Sequence, residues 1–158
     1  MLVVSDTSPI TNLIQIDLLS ILQQLYGQII IPSVVYGELC EIESQKILID
    51  SQSWIQIMTS HDEALIMQLE MDLDKGESES IVLAIELNAD LLLMDESKGR
   101  QIAQEMGLKI VGLLGTLLFA KREGLITEIK PIIKKLVNDA GFHIHPKLQA
   151  QIIQLAGE

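Results

Sequence analysis

Four acidic residues stand at positions where together they could bind a divalent metal ion. Asp6 and Asp95 each follow a short apolar run that predicts a β-strand, and Glu38 and Glu77 lie between them in the chain. Ligands of parallel sheets gather just beyond the carboxyl ends of the strands, so carboxylates at two such ends can converge on one point. Four hard oxygen donors, without a cysteine or histidine cluster, favour Mg2+ or Mn2+ over zinc.

Apolar periodicity predicts strands that alternate with helices along the whole chain. The predicted strands cover residues 2–5, 28–31, 54–58, 91–94 and 109–111, and the predicted helices cover 12–25, 33–43, 61–71, 76–88, 97–106, 113–123, 127–140 and 146–155. This alternation predicts an α/β fold with a mostly parallel sheet covered on both faces. No repeat, low-complexity tract or linker divides residues 1–158, which predicts a single domain.

Helical spacing predicts where two of the acids point. Glu77 begins the apolar face of its predicted helix and therefore points inward, whereas Glu79, two residues later, is expected to face solvent. Glu38 lies on the helix that follows the second strand, near the same end of the sheet.

Each acid also has a plain structural interpretation. Glu77 in a first helical turn is favourable to the helix dipole, Asp95 could cap the helix that follows it, and Glu38 alone could be a surface residue. Asp6 is harder to explain structurally, because it leads into Thr7–Pro9 and no helix is predicted to begin there. The conjunction of all four acids favours the metal site.

Composition and charge restrict the function. The chain is 48% hydrophobic and 21% charged, which suffices for a full core. No apolar run is long enough to span a bilayer and no leader is evident, so we expect a cytoplasmic protein without a membrane partner. The net charge of -11 is uneven: residues 1–96 carry 2 basic and 17 acidic side chains, net -15, and residues 97–158 carry 9 and 5, net +4. The second part could therefore face phosphates.

Several other residue types receive structural interpretations. The single cysteine excludes an internal disulfide. His143 and His145 are interpreted as surface loop histidines, the alternative being a shared metal. Core positions are expected for the tryptophan, Trp54, and for five methionines: Met58, Met67, Met71, Met94 and Met106.

The chain resembles the PIN-domain family in the order and spacing of its motifs. Four segments carry the resemblance: Val4–Ile10 with Asn12, Ile29–Leu39, Gly76–Ile81 and Ala89–Asp95. Gly112–Leu118 and Lys121–Ile126 resemble a PIN-like branch related to VapC-type toxins. The resemblance implies a three-layer α/β/α sandwich in which acids bind Mg2+ or Mn2+ to hydrolyse RNA phosphodiesters. It implies Asp6, Glu38, Glu77 and Asp95 as metal-binding and catalytic residues, and Ser8 and Asn12 beside them.

The resemblance also implies partners and supporting residues. Toxin-type relatives act beside a small antitoxin and as homodimers. Lys98 and Arg100 follow Asp95 and could hold a substrate phosphate, although Arg100 could equally form a salt bridge to an acid of the cluster. Crowded carboxylates repel one another without cations, so metal binding should stabilise the fold.

Other classes of function compete with a ribonuclease. The main rival is a catalytically silent PIN-like protein-interaction module, favoured by the acidity and the scarcity of aromatic residues for base stacking. A phosphotransferase or receiver domain is weaker, because Asp6-Thr7-Ser8 lacks a second acid. A nucleotide-binding protein is weaker still, because no Gly-rich loop follows a strand.

Overall fold

The computed structural model describes residues 1–158 and contains one sheet of five strands. The strands are β1 Val3–Ser5, β2 Ile29–Pro32, β3 Ile55–Met58, β4 Leu91–Leu93 and β5 Ile110–Val111. Their order across the sheet is β3-β2-β1-β4-β5, and every neighbouring pair is parallel. The predicted parallel sheet is confirmed.

Ten helices connect and cover the strands. They are α1 Thr7–Gln15, α2 Ser20–Tyr26, α3 Ser33–Leu39, α4 Glu43–Asp50, α5 Glu63–Glu70, α6 Lys75–Glu86, α7 Ser97–Glu105, α8 Leu113–Arg122, α9 Lys130–Asp139 and α10 Pro146–Leu155. None of them combines the length and the apolar character needed to cross a membrane.

Alternation along the strands divides the core into two parts. Val3 and Leu93 belong to a core shared with α1, α2, α8, α9 and α10. Val4 and Leu92 belong to a second core shared with α5, α6 and α7. Successive strand residues face opposite sides of a sheet, so helices cover both faces. The predicted three-layer α/β/α sandwich is confirmed.

Two predicted helices are interrupted. The helix predicted over residues 12–25 is wrong: α1 already begins at Thr7, directly after Asp6, and Asp17 separates α1 from α2 with a φ of +58°. Aspartate is among the few residues that tolerate this left-handed conformation. The helix predicted over 33–43 ends at Leu39, because Ile42 is extended with φ -105° and ψ 116° before α4 begins. α4 was not predicted, and it buries only Gln45 and Ile49.

The prediction that Glu79 faces solvent is wrong. α6 contacts α3, α5 and α7 as well as the sheet, so it is buried on more than one face. Glu79 is only 9% exposed and accepts a hydrogen bond of 3.1 Å from the Ser60 hydroxyl. An apolar stripe in the sequence identifies only one buried face, so it misses the other buried faces of a helix that is enclosed by several elements.

The methionine prediction holds for one residue of the five. Met94 is fully buried, whereas Met67 and Met71 on or just after α5 are 69% and 84% exposed. Met58 and Met106 are also exposed, and these four assignments to the core are wrong. Trp54 is buried, as predicted.

Two methionines provide a matched test of this core. Replacing Met94 by Ala should lower the free energy of unfolding by about 3 kcal/mol, because the deletion leaves a cavity between the sheet and α7. Met71→Ala should change it by less than about 0.5 kcal/mol, because the side chain is in water. Urea denaturation measures both, and equal losses would contradict the assigned packing.

Candidate active site

The strand order places the ends of β1 and β4 beside each other. The chain leaves β1 toward β2 and β3 on one side and later forms β4 and β5 on the other. Open α/β sheets bind ligands at such a switch point, beyond the carboxyl ends of the strands. The Asp6 N–H donates to the Leu93 carbonyl over 3.0 Å. Asp6, directly after β1, and Asp95, two residues after β4, therefore both lie at the switch point.

Asp6 is a buried carboxyl without a capping role. It precedes α1 in extended conformation, but its side chain makes no cap hydrogen bond, and the residue is 6% exposed. Burial raises its pKa to about 7; the neighbouring charges of Asp74, Glu38 and Asp95 add to the rise, and the Thr7 N–H opposes it. Asp6 is thus an acid that gains from a nearby cation.

Glu38 lies on α3 between α1 and α6. Its Oε2 accepts a hydrogen bond from the Thr7 hydroxyl. A Cβ built on Gly76 would stand 2.8 Å from Glu38 Oε1 and 2.9 Å from Oε2. Glycine at this position in the first turn of α6 therefore leaves the space that the Glu38 carboxylate occupies, beside a helix N-terminus that favours negative charge.

Glu77 forms a capping box with Asp74 at the start of α6. Asp74 Oδ1 accepts from the Glu77 N–H at 2.8 Å, and Glu77 Oε2 accepts from the Asp74 N–H at 3.4 Å. Burial and, next, the hydrogen bond with the Asp74 carboxyl together raise the pKa of Glu77 to about 7. The first-turn role expected for Glu77 is therefore present, and it does not exclude a role at the site.

The Asp95 side chain bonds to the N-terminus of α8 and not to that of α7, the helix that follows it in the chain. Its Oδ1 accepts from the Leu113 N–H at 2.7 Å, while Glu96 caps α7 by accepting from the Gly99 N–H at 2.7 Å. The alternative interpretation of Asp95, as the cap of α7, is wrong. Asp95 Oδ2 is buried and has no hydrogen-bond partner. Burial raises the pKa of Asp95, against the lowering effects of the Leu113 N–H and Arg100.

The two cations predicted for phosphate binding lie in different surroundings. Lys98 Nζ is 3.3 Å from Asp72 Oδ1 in an exposed ion pair. Arg100 Nη1 donates to the Met94 carbonyl at 3.3 Å, and neither it nor any other Arg100 atom forms a salt bridge with an acid. A Cβ on Gly112 would collide with both Arg100 and the Asp95 carboxylate. The absence of a side chain at this position therefore leaves room for the two groups to lie close together.

Two adjoining cavities contain most of the predicted site residues. The first measures about 350 Å³, has no apolar side chain, and is lined by Asp6, Thr7, Ser8, Thr11, Asn12, Glu38, Asp74, Glu77 and Glu96. The second measures about 470 Å³ and is lined by Ser8, Asn12, Asp95, Glu96, Gly141, Phe142 and His143. We call the first the acidic cavity. Asp6, Glu38 and Glu77 line it, Asp95 lines its neighbour, and Lys98 and Arg100 line neither.

A family model described as a PIN domain matches residues 2–158. The chain belongs to the PIN-domain family. The expectation drawn from the motifs is confirmed at the level of the family, and the fold of this PIN domain is a nuclease-type fold. No curated protein matches the sequence in the comparison.

Sequence reasoning missed four residues of the acidic cavity: Thr7, Thr11, Asp74 and Glu96. Asp74 had a signal, because an acid three residues before Glu77 at a helix start is the spacing of a capping box. Glu96 directly follows Asp95. Thr11 lies one turn after Thr7, but α1 was not predicted to start early enough to place either threonine.

The donors of this PIN domain suit a hard divalent cation such as Mg2+ or Mn2+. Carboxylates and hydroxyls supply the oxygen atoms, and the unpartnered Oδ2 of Asp95 is a buried acceptor next to the acidic cavity. As the side chains stand, no group of three or more His, Cys, Asp or Glu residues could hold a metal ion. Glu38 and Glu77 line the acidic cavity and also accept hydrogen bonds from the protein, so a bound ion would require the carboxylates to move closer together.

Asp6 gives the metal-free protein a pH dependence with a defined sign. Its folded pKa of about 7 exceeds its ordinary value of 3.8, so between these values the folded protein keeps a proton that the unfolded chain has released. In EDTA, the free energy of unfolding should therefore fall as the pH rises from about 4 to about 8. Asp6→Asn mimics the protonated carboxyl and should raise stability at pH 8 by up to about 4 kcal/mol.

Urea denaturation in EDTA at pH 5 and pH 8 measures this effect. Asp139→Asn, which changes an exposed acid at the end of α9, is the matched control. A less stable Asp6→Asn protein at pH 8 would show that the Asp6 carboxylate is not destabilising in the folded chain.

Proposed function

We propose that this PIN domain is a Mg2+- or Mn2+-dependent endoribonuclease that hydrolyses RNA phosphodiester bonds. The observation that carries the proposal is the acidic cavity at the switch point. Its lining brings together Asp6, Glu38 and Glu77 from three separate chain segments, with Asp95 in the adjoining cavity. A site of this composition repels RNA unless cations are bound, which makes a metal-dependent reaction its most suitable chemistry.

In this proposal Asp6, Glu38, Glu77 and Asp95 hold the metal. When bound, the ion would supply a water of lowered pKa and polarise the phosphoryl oxygen. Ser8 and Asn12 line both cavities and can hydrogen-bond a phosphate that lies between them. Arg100 stands beside Asp95 with N–H groups to spare and suits a phosphate better than Lys98, which is paired with Asp72.

We further propose that the nuclease is the toxin-like component of a toxin–antitoxin pair in the cytoplasm. The support is the resemblance of Gly112–Leu118 and Lys121–Ile126 to a branch related to VapC-type toxins. A small antitoxin protein and a second copy of the chain would then be its partners. Co-purification with the product of a neighbouring reading frame, and the mass in solution, test these two partners separately.

A second candidate function is a catalytically silent protein-interaction module. One specific feature favours it: a cavity of about 600 Å³ between α8 and α10 has four apolar lining residues, with Leu155 73% exposed at its edge. No three carboxylates stand close enough together to hold a metal ion. This arrangement is compatible with an interaction module.

Cleavage of a mixed RNA panel with Mn2+, Mg2+ or EDTA distinguishes the two candidates. We expect cutting with metal, and a loss in kcat on the order of 100-fold or more in Asp6→Asn and in Asp95→Asn, because each removes a metal-binding charge. Mn2+ should also raise Tm of the wild type, since a ligand at 100 times its Kd adds about 2.7 kcal/mol of stability.

Glu38 has a matched control three residues away. Glu38→Gln should lose activity, whereas Glu41→Gln, which changes an exposed residue, should keep it. RNA that stays intact with every metal, together with an unchanged Tm, would reject the nuclease proposal and favour the interaction module.

Alanine substitutions at two glycines distinguish an effect on activity from an effect on stability. Gly76→Ala places a methyl group 2.8 Å from Glu38 Oε1, so the flexible carboxylate must move away and metal-dependent cleavage should fall at least about tenfold. Its effect on Tm should be small, because alanine favours helix. Gly37→Ala on α3 has no atom within 4 Å of the added carbon and should retain full activity. Equal activity of the two variants would contradict the position assigned to Glu38.

A further inference from the structure

The segment between α9 and α10 is fixed to the rest of the protein by a backbone hydrogen bond and by two apolar side chains. Gly141 adopts a φ of +66°, which favours glycine, and the Phe142 N–H donates to the Leu136 carbonyl at 2.9 Å. Phe142 and Ile144 pack against the larger core. The alternate residues, His143 and His145, are consequently exposed.

The two histidines have different surroundings. His145 caps α10, because its Nδ1 accepts from the Lys147 N–H at 3.1 Å. The side chain of His143 makes no hydrogen bond within the protein and lines the cavity that also contains Asp95 and Glu96. The position of His143 therefore has no evident structural task, and it lies beside the proposed catalytic acids.

Phe142 and His143 are the only aromatic rings among the residues that line the acidic cavity and its neighbour. Single-stranded RNA is recognised through bases that stack on aromatic or histidine rings and hydrogen-bond at their edges. An imidazole can do both, and His143 shares its cavity with Asp95 and Glu96.

The charge of the adjoining helix also suits RNA. α9, which leads into this segment, carries three exposed lysines that form no ion pair: Lys130, Lys134 and Lys135. They belong to the part of the chain with net charge +4, opposite in sign to the part that supplies the four acids. A polyanion with exposed bases fits this combination better than an acidic peptide, which has no base to stack.

We propose that His143, held by Phe142 and Ile144, contacts a nucleotide of single-stranded RNA beside the acidic cavity and so contributes to the choice of cleavage site. The proposal rests on the ribonuclease function proposed above. It assigns His143 to substrate contact and His145 to the structure of α10.

RNA binding to an Asp6→Asn protein tests this assignment without cleavage. The probe is a 5′-fluorescein-labelled single-stranded RNA of about ten nucleotides with Mg2+, followed by fluorescence anisotropy. His143→Ala should raise Kd about tenfold with no change in Tm, and His143→Phe should restore most of the affinity, because a ring that stacks is retained. His145→Ala should lower Tm, because a cap is lost, and leave Kd unchanged.

The outcomes separate this inference from the nuclease proposal. Equal Kd for His143→Ala and its parent, or an equal loss in His145→Ala, overturns the inference even if the wild-type protein cuts RNA. A selective loss in His143→Ala supports the assigned RNA contact even if the wild-type protein cuts no RNA; the nuclease proposal then fails, and the role in choosing a cleavage site fails with it. No RNA binding by the parent overturns the inference as well.

Discussion

The fold must hold many carboxylates close together, and it does so with backbone N–H groups at helix N-termini. Glu77 and Asp74 bond to the first turn of α6, Glu96 to that of α7, and Asp95 Oδ1 to that of α8. No lysine or arginine lines the acidic cavity. Since a helix N-terminus supplies only a partial positive charge, these contacts reduce the repulsion without removing it. Asp95 Oδ2 receives no donor, and the buried Asp6 carboxyl is opposed by three neighbouring acids with only the Thr7 N–H to offset them, so repulsion is relieved least at these two residues.

The strand order explains why this charge accumulates at one place. Three N-termini, of α1, α6 and α7, follow segments that end at or near the β1–β4 switch point, so acids that precede or open these helices share one cavity. Gly76 and Gly112 allow the remaining approach, because a Cβ at either position would displace the Glu38 or the Asp95 carboxylate. The close approach of these carboxylates to the helices thus depends on two glycines, which have no side chain.

Sequence alone predicted the residues placed by strand ends better than those placed by packing. Asp6 and Asp95 follow from two apolar runs and from the rule for parallel sheets, and the structure brings both to the switch point. Glu79 could not be placed, because its burial depends on α5 and Ser60. Asp74 and Glu96 were missed because the cavity depends on how three helices start, and helix starts are the least certain part of a periodicity argument. Whether these acids bind metal stays a prediction.

Charge asymmetry relates the acidic cavity to the C-terminal helices. RNA that approaches the cavity meets the field of a region with net charge -15, and α9 offers exposed, unpaired lysines outside it. Attraction to those lysines would be screened by salt over about 8 Å at physiological ionic strength, whereas a bound divalent cation would act on the phosphate at contact distance. The two sources of positive charge therefore have separate tasks in the proposed reaction. In that proposal the lysines would raise the local concentration of RNA, and the cation would make entry of a phosphate among the carboxylates favourable.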